Sequence, residues 1–306
     1  MGRSLKKAIY VLTPFVVYYL VHGITRFLMM FLLQLLSSYS TGIYSVIKAH
    51  DALFSGIISL LDMSIGAIAL IFLMKRDFEE LSIWDYVNLN GISFYRSDRI
   101  HSYAFGWILI AVQAVSMAIG LNVLIGLSGL MKISSYEDSA QAQYSIPIWL
   151  GLVLYGLVSP AVEELLFRTV IYGRMKRRFA VILSMIMSSL FFGLYHGNLV
   201  QGIYGFIMGF LMCMACEYLH TVTGAFLMHS AANITIYLLG MSGLLLKLST
   251  PLFCCVFIAI GLITIACEAG FSYKTYKTMG HIEGIAPVGC FYRDPTLFED
   301  EEDIYT

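Results

Sequence analysis

The chain has 306 residues, 58% of them hydrophobic and only 13% charged, with a formal net charge of −1. Soluble domains carry about 25% charged residues, so this composition excludes an ordinary soluble domain. With no basic surplus there is also no electrostatic case for a nucleic-acid partner. The fold class that remains is all-α, a polytopic membrane protein in contact with lipid.

Taken in chain order, apolar stretches long enough to cross about 30 Å of hydrocarbon run over 8–36, 52–74, 103–131, 146–171, 179–197, 200–219, 223–240 and 252–273. They predict about eight transmembrane helices. The first follows Arg3, Lys6 and Lys7. It is too long for a signal-peptide core and lacks a small-residue cleavage site, so it is expected to remain as a span. Three parts follow: helices 1–3 with an interfacial loop within 1–145, a helical core over 146–273, and a polar tail over 274–306. The loop at 75–101 mixes charges with Trp84, Tyr86, Phe94 and Tyr95, which suits the headgroup level. The tail ends in Glu299-Asp300-Glu301-Glu302-Asp303, a solvated acidic run. Of the six cysteines, five lie in expected spans, and Cys213 and Cys216 are read as packing residues despite their CxxC spacing.

Lysines and arginines divide unequally between the two sides. The N-terminus, the 75–101 loop, the 172–178 loop and the tail hold fourteen of the nineteen. The opposite loops hold only Lys48, Lys132 and Lys247, and Arg26 and Arg168 lie within spans. The positive-inside rule then places both termini in the cytoplasm.

Chemistry enters at Glu163-Glu164-Leu165-Leu166-Phe167-Arg168. An ion at mid-bilayer costs about 2.5–3.5 kcal/mol on insertion scales, so three in six residues must be paired, wetted or used. Glu164 and Arg168 are i,i+4 neighbours and can pair along one helix face. Glu163 points about 100° away and is left as a general-base candidate. Pro160 removes a backbone donor and can kink the helix. Downstream come Phe192-Gly193-Leu194-Tyr195-His196 and His229-Ser230-Ala231-Ala232-Asn233. In a hairpin folded at the basic turn, Glu163 and His196 fall at equal depth. His229 and Asn233 share one helix face, where imidazole and carboxamide donors suit an oxyanion. The expected site is shared by all four residues, roughly 10–15 Å below the cytoplasmic face. Elsewhere Arg26 and Asp62 suit an interhelical ion pair.

The motifs EExxxR, FxxxH and HxxxN, in that order on successive spans over roughly 150–240, resemble the CPBP family of type II CAAX prenyl proteases and Abi bacteriocin-processing or immunity proteins. The resemblance implies that Glu163 and His196 activate a water and that His229 and Asn233 bind the oxyanion. Glu164 and Arg168 would support the helix, with Phe192 packed beside the site. A divalent metal such as zinc stays open as a cofactor, because Glu163, His196 and His229 would offer three ligands. A metal-free Glu/His base is equally compatible, and no HExxH is present. The expected substrate is a hydrophobic or lipidated peptide. The alternative is a non-proteolytic scaffold or self-immunity protein; a transporter would show inverted repeats, which are not evident. Short loops and few prolines favour a bacterial plasma membrane.

Overall fold

The computed structural model describes residues 3–75, 97–132, 136–176, 179–219 and 221–279. These residues are helical with no strand among them. Eleven helices are numbered here in chain order. α1 (Arg3–Tyr39), α2 (Thr41–Ala49), α3 (Asp51–Leu73) and α4 (Ser97–Ser128) lead to a short α5 (Tyr136–Ser145). The core follows as α6 (Ile148–Lys176), α7 (Val181–Tyr195), α8 (Leu199–Leu219) and α9 (Val222–Met241), then α10 (Leu244–Leu248) and α11 (Pro251–Met279). The expected interfacial loop falls largely on 76–96, and the acidic run lies within 280–306; both lie outside the described residues. The first residues of the expected tail instead continue α11 to Met279.

Seven of these helices are long and apolar enough to cross a membrane. The expected eighth is α7, which has only 15 residues. At 1.5 Å per residue it reaches about 22 Å, short of the roughly 30 Å hydrocarbon thickness. The apolar run over 179–197 is continuous, but the helix stops at Tyr195 because Gly197 adopts a left-handed φ of 72°. Glycine takes that conformation without a Cβ clash, and the chain reverses into α8. α7 and α8 then pack antiparallel at close range. A Cβ on Gly193 would lie 2.5 Å from the Gly202 carbonyl oxygen.

The ends of the bundle are held differently. At one end the Arg174 guanidinium donates to the Tyr10 carbonyl and approaches the Met74 sulfur at 3.0 Å. Lys176 bonds Glu217 at 2.5 Å, and Glu217 also accepts from the Tyr172 hydroxyl at 2.9 Å. The start of α1 and the ends of α3, α6 and α8 therefore meet there. Within the bundle, Asp62 of α3 is fully buried and ties α1 down through His22 Nδ1 at 3.2 Å and Arg26 Nη1 at 3.2 Å. The expected Arg26–Asp62 pair is present, with His22 as a third member.

α6 is one helix with two π-helical stretches, Leu154–Val158 and Leu165–Tyr172, on either side of Ser159–Glu164. Single π turns of this kind recur at functional sites because they re-aim side chains and free carbonyls. In the first stretch Ser159 N–H bonds the Leu154 carbonyl, five residues back. The same register would give the Tyr155 carbonyl to the nitrogen of Pro160, which carries no hydrogen. Pro160 thus leaves the partly buried Tyr155 carbonyl without its helical donor at the middle of the helix, rather than merely bending it.

Candidate active site

The freed acceptor is where the site begins. Asn233 of α9 donates its side-chain amide to the Tyr155 carbonyl at 3.0 Å, supplying the hydrogen bond that Pro160 cannot. This fixes the Asn233 amide and leaves its second N–H available.

One turn further, Glu163 and Glu164 diverge as the helical geometry requires. Glu164 is 1% exposed and faces two cations or potential cations. Its Oε2 lies 3.0 Å from Arg168 Nε, and its Oε1 lies 2.8 Å from His229 Nδ1. Arg168 is also buried; it donates to the Gly209 carbonyl at 3.3 Å and covers the Phe192 ring at 4.4 Å. A carboxylate removed from water is retained only when paired in this way. Glu163 accepts from the Ser159 hydroxyl at 2.5 Å, and its other oxygen lies 3.7 Å from His229 Nε2. The imidazole of His229 therefore stands between both carboxylates.

His196 caps the end of α7, and its Nδ1 lies 2.8 Å from the Phe192 carbonyl oxygen. A carbonyl only accepts, so Nδ1 carries the proton and Nε2 is the nitrogen left for chemistry. The Phe192 ring stands edge-on to both histidines, with centroids 4.9 Å from His196 and 5.6 Å from His229. Among the described residues Glu163 and His196 form no ion pair, and both face one cavity.

Glu163, Phe192, His196, His229 and Asn233 all line one cavity of about 230 Å³. Glu164 and Arg168 lie behind it. The structure thus brings the four expected catalytic residues together and puts the three expected supporting residues against them. Sequence reasoning missed Ser159, Tyr155, Asn122, Gln201 and Tyr204, which also line the cavity. Ser159 alone had a signal, its i,i+4 spacing to Glu163. The pairing of Glu164 with His229, 65 residues apart, had none.

His196 lies a full α7 length, about 22 Å, beyond the start of that helix. Glu163 lies about 20 Å along α6 from Lys176. The site therefore lies about 20 Å from the basic helix ends, and the cavity extends from it toward α5, where Tyr136 and Gln143 also line it. As for a metal, no group of three His, Cys, Asp or Glu side chains among the described residues is placed to hold one. The nitrogen of His229 nearest Glu164 is already engaged by that carboxylate, and Nδ1 of His196 is engaged by backbone. Each histidine keeps its Nε2 for a ligand, and an Nδ1 held by a carboxylate or a carbonyl is the usual arrangement of a metal-binding imidazole.

Residues 145–235 match one protein family, described as type II CAAX prenyl endopeptidase Rce1-like. That segment contains every residue of the site described above except the α4 and α5 contributions. No curated protein and no solved structure matches the chain.

Proposed function

We propose, from the match of residues 145–235 to the type II CAAX prenyl endopeptidase Rce1-like family, that the chain is an intramembrane endopeptidase cutting a membrane-associated or lipidated peptide. The observation that carries this reading is the convergence of Glu163, His196, His229 and Asn233 on one cavity. In the proposed mechanism a water sits between the Glu163 carboxylate and His196 Nε2. Glu163 takes a proton from it as the oxygen attacks the scissile carbonyl, and the leaving amine later receives that proton. General-base assistance of this kind contributes about 10²–10⁴-fold.

The carbonyl oxygen then gathers charge. His229, as an imidazolium with Nδ1–H held by Glu164 and Nε2–H left for the substrate, and the second N–H of Asn233 are the donors that would receive it, and one such donor is worth about 10²–10³-fold. Glu164 holds the His229 ring by Nδ1, and Arg168 holds Glu164. Both act through His229 rather than on the substrate.

The test is cleavage of a pool of membrane-proximal and prenylated peptides by purified protein, with wild type set beside Glu163→Gln and His196→Ala. Turnover in wild type that disappears in both variants, with thermal unfolding unchanged, is the expected result. Full cleavage by Glu163→Gln would sink the assignment of the base. A cellular phenotype surviving both substitutions would make the chain a binding protein rather than a protease.

A further inference from the structure

The distribution of charge and the direction in which the cavity opens lead to a conclusion about where the substrate comes from. The buried floor of the cavity is Glu163, Phe192, His229, Met208 and Met212. Its partly exposed rim is Tyr136 and Gln143 of α5, Gln201 and Tyr204 of α8, and His196 at the tip of the α7–α8 hairpin. Those rim residues belong to the helix ends opposite the one where Arg174, Lys176, Tyr10, Met74 and Glu217 gather. None of that second group lines the cavity. The short α7 contributes directly to the opening. Because it turns back at Gly197, α7 ends at the cavity with His196, and Tyr136 and Gln143 of α5 line the cavity beside it.

The two ends differ in charge as well as in shape. Fourteen of the nineteen lysines and arginines belong to segments at or leading from the Arg174 end, and only Lys48, Lys132 and Lys247 belong to loops at the α5 end. The first turn of α5 is acidic, with Glu137 and Asp138. Cytoplasmic loops are the basic ones, so the Arg174 end is cytoplasmic and the cavity faces away from it.

We propose that the active-site cavity opens to the non-cytoplasmic face, under α5, and that its substrate is a peptide segment presented on that face. This rests on the protease reading above for the word substrate, but the direction of opening does not. The rim is built of carboxamide and phenol groups, among them Gln143, Gln201 and Tyr204, which bond a peptide backbone without requiring a charged side chain on it. An exported or outward-exposed neutral peptide fits this site, whereas a peptide tail offered from the cytosol meets the closed, basic end.

The test is labelling of single added cysteines in the full chain in intact cells with a charged, membrane-impermeant maleimide. Gln141→Cys reports the exposed face of α5, and Gln201→Cys reports the rim. Native Cys290 in the C-terminal tail serves as the reporter of the opposite side. Label at both new cysteines several-fold above the parent chain, with Cys290 labelled only after the membrane is opened, is the expected result. Any other pattern overturns the proposal. This includes labelling of Gln141→Cys or Gln201→Cys that needs permeabilisation, and labelling of neither until the protein is unfolded. Labelling requires no turnover, so failure of the protease reading leaves this result standing, and an inward-facing result leaves the protease reading standing.

Discussion

Glu164 is committed on both of its oxygens, to Arg168 at 3.0 Å and to His229 at 2.8 Å. All three side chains are almost wholly withdrawn from solvent. Removing one member of such a set leaves an uncompensated charge, which costs about 3–5 kcal/mol. Arg168→Ala is therefore expected to lower stability by that order, measured as thermal unfolding in detergent. Arg168→Lys is expected to recover only part of it. An ammonium can replace the charge, but it lacks the planar fork that reaches Glu164 and the Gly209 carbonyl while lying on Phe192. A lysine variant as stable as wild type would show that the charge alone matters. The i,i+4 spacing makes Glu164–Arg168 legible in the sequence, as it does the shared face of His229 and Asn233. Contacts between helices, such as Glu164 with His229 or Asn233 with the Tyr155 carbonyl, depend on how α6 and α9 meet and leave no local trace.

At the scale of elements, the α7–α8 hairpin sets the position of His196. Gly193 meets the backbone of Gly202 and Phe206, and Gly209 meets Ser189 and Phe192. A methyl at Gly193 would fall 2.5 Å from the Gly202 carbonyl oxygen, a rigid backbone atom that can yield only if the helices separate. Overpacking of this sort costs about 1–3 kcal/mol. Gly193→Ala is expected to lower cleavage more than Gly205→Ala, whose Cβ would meet the Gly193 Cα and the His196 ring at an ordinary 3.4 Å. Equal activity in the two variants would mean that hairpin spacing does not govern His196. Most spans were legible because a hydrophobic run needs only length and composition to declare itself. The end of α7 was not, since its flanks are as apolar as its interior. The π stretches of α6 were hidden for a related reason: a change of register alters no residue type, and Pro160 signals a missing donor without saying which carbonyl it frees. α5 was missed because its sequence is polar and carries no apolar period.

At the scale of the whole molecule, the helices outside the matched segment are tied to the core at two levels. Phe15 and Tyr18 of α1 pack on Tyr195, with centroids 6.3 and 6.4 Å away, immediately before His196. About a turn further along, Asp62 of α3 joins His22 and Arg26 of α1, and Arg26 also donates to the Ser59 hydroxyl at 3.0 Å. The members of this cluster are unequal. Asp62 has no exposed surface, whereas the Arg26 side chain is 42% exposed and has a long stem on which to move its charge toward the interface. Removing the arginine traps a carboxylate with only His22 for company. Neutralising the carboxylate leaves an arginine that can relocate. Arg26→Leu is thus expected to destabilise by about 3 kcal/mol, near the insertion cost of an unpaired ion. Asp62→Asn is expected to cost about 1 kcal/mol, the scale of a lost hydrogen bond. The double substitution should then be more stable than Arg26→Leu alone, because the trapped charge is gone. Thermal unfolding of the four proteins in one detergent makes the comparison. If the double variant is the least stable of the set, the Asp62 cluster holds α1 to α3 by some means other than charge pairing.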